Sequence, residues 1–422
     1  MQFSLSSNSL SKTPKWQIAA VWLLRLVVGG VFVVSGFAKA IDPWGTLFKT
    51  EEYLIAWDML QPRTLTLMAA LIQSWGEFLL GALLLLGCYR RVTPVLSAAL
   101  MVFMTSLTLY IWIADPVADC GCFGDLIILS NGATFAKNIL IDLLIVGLIL
   151  WNQKVRGVFT PYTQWMVGGA LTIFVAAVSF LGYNVQPLLD FRRFPTGTSL
   201  LSTAEPTGDV VYSFIYEKNG KRESFTEDNL PDSTWTFVDR ELTSGSEKLD
   251  DTFTILDDDS NDITADIIEP EGRQMLIVIP EIERVNPSYT YIINEIEREL
   301  SAHDIPMVTL VSPDSRGIQW WRDISMSESP IYSAEPTLLK ELVRGKVGLV
   351  FLNNGVVRWK RSMMAFDIEN PYQSMKDASE YPDHILGRLV IGLIMALGAI
   401  LFIDLTGITI NSLVNRFKRK KA

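Results

Sequence analysis

Histidine and cysteine are scarce in this chain. Its 422 residues include two histidines, His303 and His384, and three cysteines, Cys88, Cys120 and Cys122. A zinc site wants about four such ligands, so a His- and Cys-rich metal centre is excluded, and no metal site is expected. Neither histidine lies deep in an apolar block, which excludes the usual haem ligation inside a bilayer. His303 reads as a helix-end surface residue and His384 as a marker of the membrane interface. Charge is thin as well, at 19% Asp, Glu, Lys and Arg, with a net charge of −10. The acidic excess lies in the middle of the chain. An acidic surface facing away from the cytoplasm argues against nucleic acid and against docking on anionic lipid. The short loop 115–132 has no Lys or Arg and carries Asp115, Asp119 and Asp125 instead. A small-residue cleavage site is also missing after the first apolar block. That block is longer than a signal-peptide core, so it is expected to stay as a first span.

Apolar residues, by contrast, are abundant at 49%, and they cluster in blocks. About 20 such residues cross a hydrocarbon core roughly 30 Å thick. Six blocks reach that length: 16–40, 65–87, 94–114, 133–151, 165–185 and 385–410. Trp16, Tyr110, Trp112, Trp151, Trp165 and Tyr183 mark their ends, where amphipathic rings sit at the headgroups. The chain thus reads as an α-helical polytopic membrane protein with the lipid bilayer as its first partner. Orientation follows from the basic residues of the short loops. Lys12 and Lys15, Arg90 and Arg91, Lys154 and Arg156, and the tail Arg416 to Lys421 alternate with the Lys- and Arg-free loop, while the loop after the first span, with Lys39, Lys49 and Arg63, fits the pattern less well. Both termini are expected in the cytoplasm. The order is a tail over 1–15, a four-span bundle over 16–152, a fifth span over 165–185, an extracytoplasmic domain over 186–384, a sixth span and a basic tail over 411–422. In a bacterial cell this is an inner-membrane protein whose residues 186–384 lie in the periplasm.

Two features carry possible chemistry. The first is the loop DPVADCGCFGD, where Cys120 and Cys122 flank Gly121. Its side of the membrane permits disulfides. Two cysteines one residue apart pair only across a tight bend, which a central glycine allows. Strained, exposed disulfides tend to be labile and oxidising. The readings left open are a cycling redox pair and a static pair that shapes the loop. Cys88, at the other end of the second span, reads as a small apolar filler. The second feature is the set of polar residues within spans, which are costly in hydrocarbon and face the bundle interior. They are Arg25, Glu77, Lys137 and Asp142, with Arg388 and Asp404 in the last span. Glu77 is expected to face Arg25 or Lys137. Such a group serves either a proton- or quinone-linked site or an ion pair that fixes packing. Gly29, Gly30 and Gly36 mark close helix contacts. A transporter is disfavoured, because no inverted repeat or pair of broken helices is visible.

The stretch LRLVVGGVFVVSGFAKAIDP and the Glu77 span ending in LGCYRR resemble the DoxX superfamily of four-helix membrane proteins. The run DCGCFGDLIILSNGATFAKN resembles its MauE branch, the methylamine utilisation proteins. The resemblance covers about residues 16–152. It implies periplasmic thiol–disulfide or quinone-coupled redox chemistry, acting on or maturing a periplasmic protein partner. MauE-like proteins are associated with maturing a disulfide-rich dehydrogenase, and DoxX-like proteins with quinone-linked sulfur oxidation. By that analogy Cys120 and Cys122 are the reactive pair, Asp119, Gly121 and Gly124 shape their loop, and a quinone is the one cofactor implied.

Within 186–384, residues 209–225 read as a hairpin inside a β region over 205–245, and 249–271 as an exposed acidic loop. From Arg273 the order is strand, helix, strand, helix, helix and a hairpin turning at Asn354-Gly355. Over 273–362 this order resembles a thioredoxin-like α/β domain. It departs at the active-site position, where Pro280, Glu281, Ile282 and Glu283 stand without a cysteine, and Val347 stands near the place of the expected proline. Such a domain cannot exchange disulfides itself. Two functions therefore compete. One is a thiol–disulfide or quinone-linked oxidoreductase. The other is a non-enzymatic assembly or scaffold factor whose outer domain binds a periplasmic client.

Overall fold

In a computed structural model, residues 14–59, 62–117, 119–127, 129–201, 211–218, 221–226, 236–244, 253–257, 261–365 and 381–421 are described. The chain divides into two compact units. The first comprises residues 1–192, 362–365 and 376–422, and the second 193–361 and 366–375.

The first unit is helical. It holds α1 (Lys15–Ile41), α2 (Pro43–Ala56), α3 (Arg63–Leu86), α4 (Val92–Ala114), α5 (Asn131–Trp151), α6 (Gln164–Asn184) and a C-terminal helix, Tyr381–Lys421. All of these but α2 are long and apolar enough to cross a membrane, which makes six candidate spans. Local chemistry sets the breaks. Pro43 occupies the first turn of α2, and the Asp42 carboxylate caps that turn at Gly45 N–H, 2.9 Å away. Gly87 closes α3 in the left-handed region. Ser130 caps α5.

Helices in lipid gain little from hydrophobicity against one another, so close backbone packing must hold them. The α1–α3 pair shows this. A Cβ on Gly36 would lie 2.2 Å from Phe78 N, and one on Gly81 2.6 Å from Val33 N. Gly29 makes a similar approach to the Gly81 carbonyl. Gly30, expected to join them, has open space around it. It sits about 100° around the helix from Gly29 and so misses the contact face. Between α1, α3, α4 and α5 lies a core of Val28, Phe32, Leu84, Met101, Ile141, Ile145 and Leu148. A second core joins α1 and α3 to α6 and the C-terminal helix, with Phe174 stacked on Phe37 at 6.1 Å. The fifth span is thus packed into the helical body. The C-terminal helix leans on it through Leu386, Leu389, Leu393, Leu397 and Leu401. It also places Asp404 against the start of α6, where the carboxylate accepts from Thr160 N–H and from the Thr160 and Thr163 hydroxyls.

The second unit is α/β. A three-stranded sheet runs β2-β1-β3, with β1 Val211–Lys218, β2 Lys221–Thr226 and β3 Thr236–Ser244. All pairs are antiparallel, and Lys218 pairs with Lys221 across the first turn. The third strand, β3, has no counterpart in the hairpin expected from sequence. A six-stranded sheet runs β4-β7-β6-β5-β8-β9. Its strands are β4 Ile255–Leu256, β5 Arg273–Ile279, β6 Met307–Val311, β7 Ile331–Ala334, β8 Gly348–Asn353 and β9 Val356–Ser362. The three central strands β5, β6 and β7 are parallel, and β8 and β4 are antiparallel to their neighbours. Met275 to Ile279 are fully buried, as a strand covered on both faces must be. Helices α7 (Thr264–Ile267), α8 (Tyr289–Ser301), α9 (Ser315–Ser325) and α10 (Pro336–Leu342) complete the unit. The last hairpin turns at Asn354 and Gly355, both at positive φ, as a type I′ turn requires.

Two expectations are corrected here. The acidic stretch 249–271 is not simply an exposed loop: its described part supplies edge strand β4 and α7. Phe253, Ile255 and Ile268 are interleaved with the carboxylates and enter the sheet core. The short strand β7 was also missed, because IYSA is too brief to show an alternating pattern.

Candidate functional site

The loop between α4 and α5 is held from two sides. On one side is α2. Lys49 donates to the Asp119 carboxylate at 3.1 Å, and the Tyr53 hydroxyl donates to the Cys120 carbonyl at 2.7 Å. On the other side is α1, where the Ser35 hydroxyl lies 2.6 Å from the Cys122 carbonyl. Asp119 also turns back to accept from Gly121 N–H at 2.7 Å, closing an Asx turn around the cysteines. Gly121 has φ +60°, and a Cβ there would press on the Lys49 stem at 2.8 Å. Gly124, φ +55°, opens the single 3-10 turn Gly124–Leu126 that returns the chain toward α5.

Cys120 and Cys122 are free thiols, both half-buried. The neighbouring Cys122 thiol holds the Cys120 value below that of an ordinary thiol; burial opposes this, while the Thr134 hydroxyl and the Lys137 charge assist. Cys122 is pushed the other way, by its neighbour Cys120 and by burial. The pair thus gives up one proton readily and holds the second, as interacting groups do. Cys88 is fully buried, and burial pushes its thiol up to about 12.

Beneath the loop, Glu77 of α3 is buried against α1. Its carboxylate accepts from Lys39 at 2.7 Å through both oxygens, and its Oε2 lies 2.6 Å from Ser35 Oγ. Gln73, one turn earlier on α3, donates to Oε1 at 3.3 Å. Ser35 therefore touches both Glu77 and the cysteine loop. The expectation that Glu77 faces Arg25 or Lys137 is corrected: its ion-pair partner is Lys39. The antiparallel register decides this. Gly36 lies level with Phe78, whereas Arg25 is about eleven residues, or roughly 16 Å, farther along α1. Arg25 is fully buried at the far end and donates to the Asn152 side chain at 2.8 Å and to the Val155 and Arg156 carbonyls at 3.0 Å. It fastens the α5–α6 connection and takes no part in the site. Asp142 is likewise apart, accepting from Thr105 on α4 at 2.7 Å.

A small cavity of about 30 Å³ opens below the cysteines. Its polar wall is Ser35, Lys39, Glu77, Cys122, Lys137 and Asn138, and its apolar wall comes from α1, α4 and α5, including Phe32, Met101 and Ile141. Lys137 shares this cavity with Glu77 but reaches the Phe123 ring, 4.4 Å from its centroid. Asn138 is buried and donates to Thr108 at 3.2 Å. Of the expected residues, the structure gathers Asp119, Cys120, Gly121, Cys122, Gly124, Glu77 and Lys137. Sequence reasoning missed Ser35, Lys39, Lys49, Tyr53, Thr134 and Asn138. A signal existed for two of them: Ser35 and Lys39 are four apart and share one helix face.

In the second unit, the segment after β5 holds no thiol. Ile282 is buried and Glu281 pairs with Lys340 at 3.1 Å.

Comparison with known families gives two matches. Residues 17–152 match the family described as Methylamine utilisation protein MauE. Residues 210–243 match a family described as Domain of unknown function (DUF8463). No curated protein and no solved structure matches the chain.

Proposed function

With residues 17–152 a MauE-like membrane unit, we propose that this chain performs thiol–disulfide exchange through Cys120 and Cys122 with an extracytoplasmic protein partner. The observation that carries this reading is the pair itself. Two free thiols one residue apart sit in a loop anchored on both sides, and the second opens onto a cavity inside the bundle. A low-proton-affinity thiol in a partly exposed, electropositive setting is the reactive kind. In this reading the protein sits in the inner membrane with both termini in the cytoplasm, following the basic short loops. The matched family is named for methylamine utilisation, and the partner is a protein matured in such a process.

The second unit is a thioredoxin-like platform that presents the partner and leaves the sulfur chemistry to the loop. Its strand–helix–strand order ending in a hairpin supports this, and so does the thiol-free segment after β5. That same segment favours the competing reading, a non-enzymatic scaffold.

A quinone is the acceptor that the family resemblance implies, but the cavity beside Cys122, at about 30 Å³, has room for roughly one water and does not fit a quinone ring. The chain's own residues hold the dithiol, tune its first proton and shield it from the lipid.

Acid quenching of intact cells followed by mass-tagged alkylation reads the redox state of the pair. The expected result is a mixture of dithiol and disulfide, and loss of function in the Cys120→Ser and Cys122→Ser variants. A pair that never changes state, with full function in the double variant, refutes the exchange. Loss of function only on deleting residues 190–380 then selects the scaffold.

A further inference from the structure

Beneath the cysteines, Ser35 has more close oxygen neighbours than its single hydrogen can serve. We propose that Ser35 is the positioning residue of the cysteine loop, and that a proton on Glu77 decides whether Ser35 holds it. With the proton bound, the loop is fastened to α1 at the Cys122 carbonyl. Without it, that fastening is given up. The latch concerns how the loop is held and goes beyond the exchange reading above.

A serine hydroxyl has one hydrogen and two lone pairs. Glu77 Oε2 and the Cys122 carbonyl oxygen both stand 2.6 Å from Ser35 Oγ, and each contact is of hydrogen-bond length. The carbonyl has no hydrogen to give, and an ionised carboxylate has none either. Ser35 alone can therefore bridge one of the two. The other bridge needs a proton on Glu77. Glu77 then donates to Ser35 Oγ, and Ser35 donates to the Cys122 carbonyl. Lys39 Nζ, 3.3 Å away, donates to the remaining lone pair, so the serine is fully used. When Glu77 gives up the proton, its charged carboxylate is the stronger acceptor and takes the Ser35 hydrogen. The Cys122 carbonyl then loses its partner on α1, while Tyr53 still holds the Cys120 carbonyl. Lys39 and Gln73 donate to Glu77 Oε1 in either state.

The charged or titratable groups that face Glu77 are Lys39 of α1, Lys137 of α5 and Cys122 of the loop. The cavity also receives Asn138 from α5, and α4 brings only Leu100, Met101 and Met104 to it. On the other side of α3, α6 presents Phe174 and Ser179. Lysine charge favours the carboxylate and burial favours the acid, the opposition that lets a group change state. The step moves one proton and no electrons. Its route is the cavity, which Glu77, Ser35 and Cys122 line and which has room for about one water.

The test uses the full chain in detergent micelles with the cysteines kept reduced, so neither readout depends on exchange. The first is the infrared carbonyl stretch of a protonated carboxyl, which is separate from carboxylate bands. The difference between the parent and Glu77→Gln should show such a band at low pH and lose it as pH rises, and Ser35→Ala should shift it. The second is hydrogen exchange across the loop, where the Gly121 and Gly124 amides are hydrogen-bonded. Ser35→Ala should exchange about threefold faster or more, and Ser35→Thr should restore the parent rate. Glu77→Gln, whose amide can donate to Ser35 as the acid does, should stay slow at every pH. The parent should be slower than Ser35→Ala at low pH and approach it at high pH. Taking that ratio at each pH removes the intrinsic pH dependence of exchange, and it stands even if Glu77→Gln fails to fold. A serine that merely packed would give a ratio that does not move with pH. A flat ratio, or no acid band at any pH at which the protein stays folded, overturns the inference. Failure of the exchange reading shows separately, in the redox state of the pair in cells.

Discussion

Lys39 and Glu77 form a buried ion pair, with side chains 3% and 6% exposed. Breaking such a pair by removing one partner strands the other charge and costs about 3–5 kcal/mol, whereas replacing both by apolar groups is often neutral. Lys39→Met and Glu77→Met should therefore each lower the thermal midpoint of the detergent-solubilised protein sharply, and the double variant should recover most of the loss. A double variant as weak as either single one would show that the pair does more than balance itself. Gly121 is the other sensitive residue. Its φ of +60° costs an L-residue about 1–2 kcal/mol, and a Cβ would displace the Lys49 stem. Gly121→Ala should loosen the loop from α2 and speed alkylation of the cysteines. Cys88 should resist the same reagent at neutral pH, because burial holds its proton.

At the scale of the helices, the α1–α3 contact is set by backbone approach. Gly36→Val would drive a side chain into Phe78 N and the Ser74 carbonyl, neither of which can yield. Gly30→Val meets nothing. The first variant should fail to give a stable, monodisperse protein and the second should match the parent, as read by thermal unfolding in detergent. How much of this was legible depends on the contact in question. That α1 and α3 exist, and that glycines mark their meeting, follows from composition. Which glycines meet does not, because Gly29 and Gly30 differ only by rotation about the axis. Lys39 shows the same limit. It stands at the very end of the first block, 16–40, and nothing within that block shows that it turns inward beside Ser35. The α2 cover over the cysteines was likewise hidden, since Lys49 and Tyr53 are ordinary interfacial residues until the loop folds back on them.

At the scale of the whole molecule, the topology can be checked directly. Tyr162 and Tyr291 are both highly exposed, at 82% and 70%. Tyr162 lies in the connection that follows Lys154 and Arg156, expected in the cytoplasm, and Tyr291 lies in α8 of the second unit. A membrane-impermeant maleimide applied to intact cells should label Tyr291→Cys and leave Tyr162→Cys unlabelled. The reverse pattern would put the cysteine loop in the reducing cytoplasm and undo the case for exchange.

The sequence by itself determined the membrane character, the six apolar blocks, the α/β nature of the second unit and the place of the only two neighbouring cysteines. Each of these depends on local quantities: block length, periodicity and residue spacing. The tertiary structure decided which polar groups meet. Glu77 pairs with Lys39 and not with Arg25 because antiparallel register fixes depth along the bundle, and depth is a relation between helices that no single segment encodes. It also decided that Cys122 faces the cavity while Cys120 is held by α2, because the loop's direction is set by hydrogen bonds to Ser35 and Tyr53, far apart from it in the chain.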